Sequence, residues 1–369
     1  MSRFFISAGD PSGDIHSARL IKKLKEKLPD STFLGLGGNE SKAQGLETLV
    51  PLEQISIVGF WEVAKKYFFF KKLLNQCKNI LSSNTIDCFI AVDYPGFNIP
   101  LANFAKKKGI PVFYYIAPQL WAWGKSRAKK LSNSIDLLLN VFPFEVSFFS
   151  QYSINCKFVG HPLIDDPAFR SFNTIEHREK RIAFLPGSRR QEVEKHLPIF
   201  ADVSKLINNK YPDFEIGIAQ SPFVNKAIYK DYINSCGWHL WNDSRRLMQT
   251  SIAGVIKTGT SNLEAALCGL PFVMVYKASP ISYFLGKRLL DLPFVSLPNI
   301  LLNKEIVKEF IQNSLTPTNI IAELGKIIED HQYWHSIQAS FLEIRYMLGN
   351  GSASENASVE IIKALNDPL

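Results

Sequence analysis

Residues 181–200 read RIAFLPGSRRQEVEKHLPIF: an apolar run, a turn built on Gly187, and a helical pattern that starts behind Ser188. The same order stands at the start of the chain, where residues 3–24 read RFFISAGDPSGDIHSARLIKKL. Each is a strand, a small-residue loop and a helix, and each opens a series of its own kind. After the first come TFLGLGG, DCFIAVD, VFYYIAP, LLLNVFP and CKFVG; after the second come FEIGIAQ, AGVIKTG and PFVMVYK. Strands that alternate with helical segments specify parallel sheets covered on both faces. The polar stretch DDPAFRSFNTIEHREK (165–180) separates the two series and marks a boundary. The expected fold is α/β, two doubly wound domains facing a central cleft, over residues 1–168 and 169–351. The loop GNGSASENAS (349–358) leads into a last helix within 352–369, which is expected to pack back on the first domain.

The bulk numbers agree with two cores. A chain of 369 residues exceeds one ordinary domain, and 46% hydrophobic with 21% charged residues describes a folded protein. The net charge of +8 points toward anionic partners: phosphate-bearing substrates, nucleic acid or an acidic membrane surface. The five cysteines, Cys77, Cys88, Cys156, Cys236 and Cys268, are scattered without a CxxC pair, which argues against a disulfide framework and a zinc site. The opening MSRFFISAGD has too short an apolar run for a signal peptide, and no uncharged apolar run approaches the roughly 18 residues of a spanning helix. A reducing, cytoplasmic setting is expected.

Four loops carry residues suited to chemistry. In GDPSGD (9–14), Gly9 and Gly13 allow a tight turn, and the helix start behind Asp10 and Ser12 offers N–H groups to an anion or a sugar hydroxyl. The spacing is not the dinucleotide fingerprint. In IAVDYPGFN (90–98), Asp93 ends a strand at the edge where open α/β sheets bind ligands. It is either a turn-capping residue or a general base. In the 181–200 stretch, Ser188 and Gln191 have capping-box spacing. Arg189 and Arg190 put positive charge at a helix N-terminus, against the macrodipole. A bound diphosphate, held by N–H groups and a guanidinium, would resolve that conflict. In VIKTGTSNLEAAL (255–267), Thr258, Gly259 and Thr260 form a small-residue loop for phosphate oxygens. Glu264 is either the partner of Ser261 in a second capping box or an acceptor for ribose hydroxyls.

These segments, with APQLWAWGKSR (117–127), FPFE (142–145), FVGHPLID (158–165), VSLPNIL (295–301) and VKEFIQ (307–312), occur in an order that resembles one family nearly end to end. That family is the lipid-A-disaccharide synthases, glycosyltransferases of the two-Rossmann-domain type called GT-B. The chain departs from it at Asp10, where the family usually has Glu. The resemblance implies transfer of 2,3-diacylglucosamine from its UDP donor to 2,3-diacylglucosamine 1-phosphate (lipid X), with inversion and without a metal or other cofactor. It places Asp93 on the aspartate implicated in catalysis, and Asp10 is expected to be catalytic as well. It places the donor diphosphate and nucleoside on Gly187, Ser188, Arg189, Thr258, Gly259, Thr260, Glu264, Asn299, Glu309 and Gln312. The acceptor side falls on Ser12, Gly13, Asn98 and His161. His161 is read either as a substrate contact or as a structural histidine. Trp121 and Trp123 are expected to pack the first domain, and the remaining histidines, His16 among them, to be surface or packing residues.

The segment FWEVAKKYFFFKKLL (60–74) is greasy and basic at once. Phe60, Val63, Tyr67, Phe70, Leu74 and Cys77 recur at helical spacing and form a core-facing stripe. Trp61, Phe68 and Phe69 project elsewhere with Lys65 and Lys72, a composition suited to an anionic membrane surface. The expected setting is the cytoplasmic face of the inner membrane, with no nucleic-acid partner. The crossing-over last helix makes a homodimer that exchanges C-termini a candidate assembly. The rival readings are a UDP-sugar epimerase of the same fold and a non-catalytic lipid or nucleotide-sugar binder.

Overall fold

The computed structural model describes residues 2–56, 66–83, 85–122, 125–169, 172–278, 293–349 and 351–367. The chain divides into two compact units, one of Met1–Asp165 with Leu348–Leu369 and one of Asp166–Met347.

The first unit holds a parallel sheet of seven strands: β1 (Arg3–Ala8), β2 (Thr32–Leu36), β3 (Leu46–Thr48), β4 (Cys88–Val92), β5 (Val112–Tyr115), β6 (Leu137–Asn140) and β7 (Cys156–Phe158). Their order is β3-β2-β1-β4-β5-β6-β7, so the winding reverses between β1 and β4. Phe4, Phe5 and Ile6 in β1 and all five residues of β4 are fully buried. These strands are apolar without alternation because helices cover both faces. The helix Pro11–Lys27 is capped by Asp10, whose carboxylate accepts the Gly13 N–H at 2.6 Å. It buries Leu20, Ile21 and Leu24, spaced to share one face.

The second unit repeats the plan with β8 (Glu179–Leu185), β9 (Glu215–Ala219), β10 (His239–Trp241), β11 (Ser251–Lys257), β12 (Phe272–Tyr276) and β13 (Glu309–Ile311). The order β10-β9-β8-β11-β12-β13 again reverses beside the first strand, here between β8 and β11. Phe184, in β8, packs its ring 4.8 Å from that of Phe200, which follows on the helix Arg190–Lys210.

Three strands lie outside the sequence expectation, β3, β10 and β13. Each is three residues long and sits at the edge of its sheet. An edge strand pairs on one side only, so it needs no long apolar run to announce it.

The greasy segment also differs from its expected face. Phe60, Trp61, Val63 and Lys65 lie outside the described residues. In the helix Tyr67–Leu81 the buried positions are Leu73, Cys77 and Leu81. Tyr67, assigned to the buried stripe, is 58% exposed. Phe69, assigned to the outer face, is instead half-buried against the core beside Phe70. The core face is thus rotated toward Phe69, Leu73 and Ile80, leaving Phe68 82% exposed with Tyr67, Lys71 and Lys72 around it.

The last helix, Ala353–Asn366, belongs to the first unit. Its N-terminus is closed by Asp165, whose carboxylate accepts the N–H groups of Ala353 (2.7 Å) and Ser354 (3.2 Å) and the hydroxyls of Ser352 (3.1 Å) and Ser354 (3.0 Å). On its flank Glu355 pairs with Lys27 at 2.6 Å. A carboxylate at a helix N-terminus that satisfies otherwise unpaired donors is stabilising on two counts. Asp165→Ala is therefore expected to cost the first unit about 1–3 kcal/mol and to expose the last helix to limited proteolysis. Unchanged urea midpoint and protease resistance would show that the latch is idle.

Candidate functional site

At the C-terminal edge of the first unit's sheet, β4 ends in a turn with two successive left-handed residues, Asp93 (φ 44°) and Tyr94 (φ 51°). Neither is glycine, so each carries backbone strain of about 1–3 kcal/mol that its surroundings must hold. Asn98 does most of this. Its amide N–H groups donate to the carbonyls of Ser7 (3.0 Å), Val92 (3.3 Å) and Asp93 (2.8 Å), and its carbonyl accepts the Ser7 hydroxyl at 2.6 Å. The Tyr114 hydroxyl donates to the Asp93 carbonyl at 2.7 Å. The Tyr94 ring lies over Gly9, where a Cβ would stand 2.3 Å from it, and its hydroxyl donates to the Ile55 carbonyl. A side chain at position 9 would push the turn out of place.

Asn98, expected on the acceptor side, is fully buried, and its amide is engaged by these bonds, so in this unit it holds the turn together. What the turn presents is the Asp93 carboxyl, pushed up to about 6 by burial and, second, by the charge of Asp10. Asp10 is itself fixed by its bonds to the Gly13 N–H and, at 3.1 Å, the Ser12 hydroxyl. Asp14, one turn on, is structural: its carboxylate accepts the N–H groups of Gly38, Glu40 and Ser41.

Two histidines stand by this edge in the same unit. His161 accepts the Leu163 N–H at Nδ1 and is pushed down to about 3, by burial first and then by His16. His16 is pushed down to about 4, by burial and then by Arg19, with Asp10 and Asp165 opposing. Both rings are therefore neutral at neutral pH. His16, expected to be a surface or packing residue, is half-buried among these charged groups, its Nδ1 without a hydrogen-bond partner. Trp121 is buried as expected, donating to Glu145 at 3.0 Å, and Trp123 lies outside the described residues.

In the second unit the loops after β8 and β11 face each other across the winding reversal, the position where open α/β sheets bind ligands. Gly187 (φ 126°) and Gly259 (φ 145°) make both turns in backbone that other residues rarely adopt. Ser188, Arg189, Gly259 and Thr260 are exposed, and Thr258 is half-buried. The Ser188 carbonyl is held by the Ser221 hydroxyl at 2.7 Å.

Neither expected capping box forms. The helix Arg190–Lys210 starts one residue later than the Ser188/Gln191 spacing implied. Glu192 closes it, accepting the N–H groups of Ser188 (3.2 Å) and Arg189 (3.4 Å). The positive charge at this helix start is thus answered from within the chain, in part, by a carboxylate. The helix Thr260–Leu267 is preceded by Gly259 with no side-chain cap, so Glu264 is not engaged with Ser261. Burial pushes the Glu264 carboxyl up, while Arg245 pulls it down and Asp166 adds to the rise.

Asn299, Glu309 and Gln312, expected at the donor site, are engaged with the backbone around them. Asn299 is fully buried. Its amide donates to the Val307 carbonyl and to Glu309, and its carbonyl accepts the N–H groups of Ile306 and Val307. Glu309 further accepts the N–H groups of Val295 and Ser296. Gln312 clamps Ala278 through both its N–H and carbonyl groups. The three set the course of the backbone around β13. Lys257, the last residue of β11, is a further cation at this edge that the motif reading passed over. A lysine closing an otherwise apolar strand was its signal in the sequence.

Known proteins share both the sequence and the fold. A lipid-A-disaccharide synthase from Persephonella marina is 34% identical over 384 residues, covering 99% of this chain and 100% of that one. The enzyme of the same name from Geobacter metallireducens is 32% identical over 374 residues, covering 98% and 97%. Among solved structures, the Neisseria meningitidis UDP-GlcNAc 2-epimerase bound to UDP-GlcNAc superposes with a TM-score of 0.64 at 15% identity, covering 99% of this chain and 100% of that one. CalG4, the calicheamicin glycosyltransferase, gives 0.63 at 14%, covering 100% and 98%. These two likenesses speak for the fold, α/β of the GT-B type. The model of the lipid-A-disaccharide synthetase family matches residues 4–362, and the chain belongs to that family.

Proposed function

We propose that this glycosyltransferase moves 2,3-diacylglucosamine from UDP-2,3-diacylglucosamine to the 6-hydroxyl of 2,3-diacylglucosamine 1-phosphate, with inversion, and that Asp93 is the general base. The observation that carries the reading is the Asp93 carboxyl at the strained sheet edge, pushed up to about 6. A base with that affinity is ionised at neutral pH yet basic enough to accept a hydroxyl proton as the bond forms. The acceptor oxygen attacks the anomeric carbon, its proton passes to Asp93, and the bond from that carbon to the diphosphate breaks. UDP leaves with the negative charge. Arg189, the N–H groups at the starts of the helices Arg190–Lys210 and Thr260–Leu267, and the Thr258 and Thr260 hydroxyls stabilise that charge. Glu264 accepts the ribose hydroxyls. On the acceptor side Ser12, Gly13 and the neutral His161 line the sugar.

Incubation with the UDP donor, with and without lipid X, tests the reaction. Acceptor-dependent UDP release is expected; an altered UDP-sugar without acceptor would indicate an epimerase, and no release at all a binder. Asp93→Asn is expected to lower turnover at least about 100-fold with UDP affinity unchanged. The native rate falls as pH drops through about 6, because protonation removes the base. Asp10→Asn moves that limb to lower pH by removing a neighbouring negative charge. A limb that stays in place, or near-normal turnover in Asp93→Asn, reduces Asp93 to a turn residue.

The same reading extends to the membrane, since both substrates carry two acyl chains. No described helix is long and apolar enough to cross a bilayer. The exposed rings of Tyr67 and Phe68, 5.6 Å apart, with Lys66, Lys71 and Lys72 beside them, suit insertion at an anionic interface. Tyr67→Ser with Phe68→Ser is expected to release the protein from anionic vesicles. It should also slow turnover of vesicle-borne lipid X more than of a short-chain analogue, with the fold retained. Sedimentation with vesicles at the native level would show that this face is not the docking surface.

A further inference from the structure

In the second unit two opposite charges meet beside the loop after β8. Lys257 donates its Nζ to Glu192 Oε1 at 2.8 Å, the two side chains being only 14% and 19% exposed. The other oxygen, Oε2, accepts the N–H groups of Ser188 and Arg189. A Cβ on Gly187 would stand 2.7 Å from that same oxygen, so a glycine lets the carboxylate come this close. The Arg189 guanidinium lies 3.9 Å from Oε1. One carboxylate therefore gathers two backbone donors and two cations. Burial would push its affinity for a proton up, but the hydrogen bond and charge of Lys257, then Arg189, bring it below the usual carboxylate range.

Two backbone N–H groups, a lysine and an arginine are also what a diphosphate oxygen requires. A capped helix start needs the first two only. The ion pair to Lys257 is an addition that capping does not explain, because Lys257 comes from a different strand and is nearly withdrawn from water. We infer that Glu192 is a placeholder anion in the donor site and that Lys257 is a diphosphate ligand held in reserve. When UDP or the UDP-sugar binds, a phosphate oxygen takes over Lys257, and Glu192 keeps its bonds to the backbone alone. The inference rests on the diphosphate reading of the 187–190 loop and deepens it by naming what sets the affinity there.

The consequence is a tempered site. The carboxylate competes with the diphosphate for Lys257 and repels it, so donor and product are both bound less tightly than the cations alone would allow. Product release limits many transferases, and a built-in competitor speeds it.

Calorimetric titration of UDP, UMP and uridine into the native protein, Glu192→Gln, Lys257→Met and the double variant tests this. Glutamine keeps the acceptor for the Ser188 and Arg189 N–H groups and removes the charge. Glu192→Gln is expected to bind UDP about tenfold tighter, because the competing and repelling charge is gone. Lys257→Met is expected to bind UDP about tenfold weaker by the same measure. In the double variant the gain from Glu192→Gln should largely disappear, and all differences should shrink for UMP and vanish for uridine. A folded Glu192→Gln that binds UDP no tighter than the native protein overturns the inference, and so does a Lys257→Met with native affinity. If Glu192→Gln does not fold, the Lys257→Met titration decides alone. Native protein that binds neither UDP nor UMP would remove the diphosphate reading itself, whereas native binding with indifferent variants removes only the placeholder.

Discussion

The buried amide of Asn98 is the constraint on which the first unit's chemistry depends. It ties the end of β1, through Ser7, to the end of β4, through Val92 and Asp93, at the place where the winding of the sheet reverses. Two left-handed residues in succession would relax to an ordinary turn if left in water. Held between Asn98, Tyr114 and the flat contact of Tyr94 on Gly9, they cannot. The carboxyl of Asp93 is then fixed in a half-buried place beside a second acid. Strain, burial and like charge all raise the energy of the ionised site. They are tolerated because the amide network lies in the core, where its hydrogen bonds have no competing water.

The second unit treats charge in the opposite way. Where the first leaves an acid exposed to its neighbour's repulsion, the second neutralises its cations from within. Arg189 is offset by Glu192, Lys257 by the same carboxylate, and Arg181, on β8, by Glu179 and Glu215 at 2.5 and 2.9 Å. These pairs sit at both ends of β8, Arg181 near its start and Arg189 and Lys257 beside the loop that follows it.

Much of this was legible in the sequence where the physics is local. Long apolar strands, the glycines of tight turns and the acid at the end of β4 all announce themselves within a few residues. The three-residue edge strands β3, β10 and β13 do not, because their pairing is decided by a neighbour distant in the chain. The site residues divide along the same line. Asp93 is read correctly to its strand end, but nothing near Asn98 or Asn299 tells that their amides are consumed by backbone groups. The Ser188/Gln191 spacing points to a cap one residue early, and nothing local shows that Glu192 closes the helix or that Lys257 reaches it from β11. The exposed ring of Tyr67 shows the same limit, since a helical stripe fixes a period while the core around it fixes the phase.

The placement of the last helix has a consequence for synthesis. The first unit consists of the opening 165 residues together with the closing segment Leu348–Leu369, and the second unit is made in between. A ribosome therefore finishes the second unit before the first can be completed. Until Ser352, Ala353 and Ser354 emerge, the carboxylate of Asp165 has no helix to close, and the side of Pro11–Lys27 that carries Lys27 lacks its partner Glu355. The unit that carries Asp93 is thus assembled last although it is translated first.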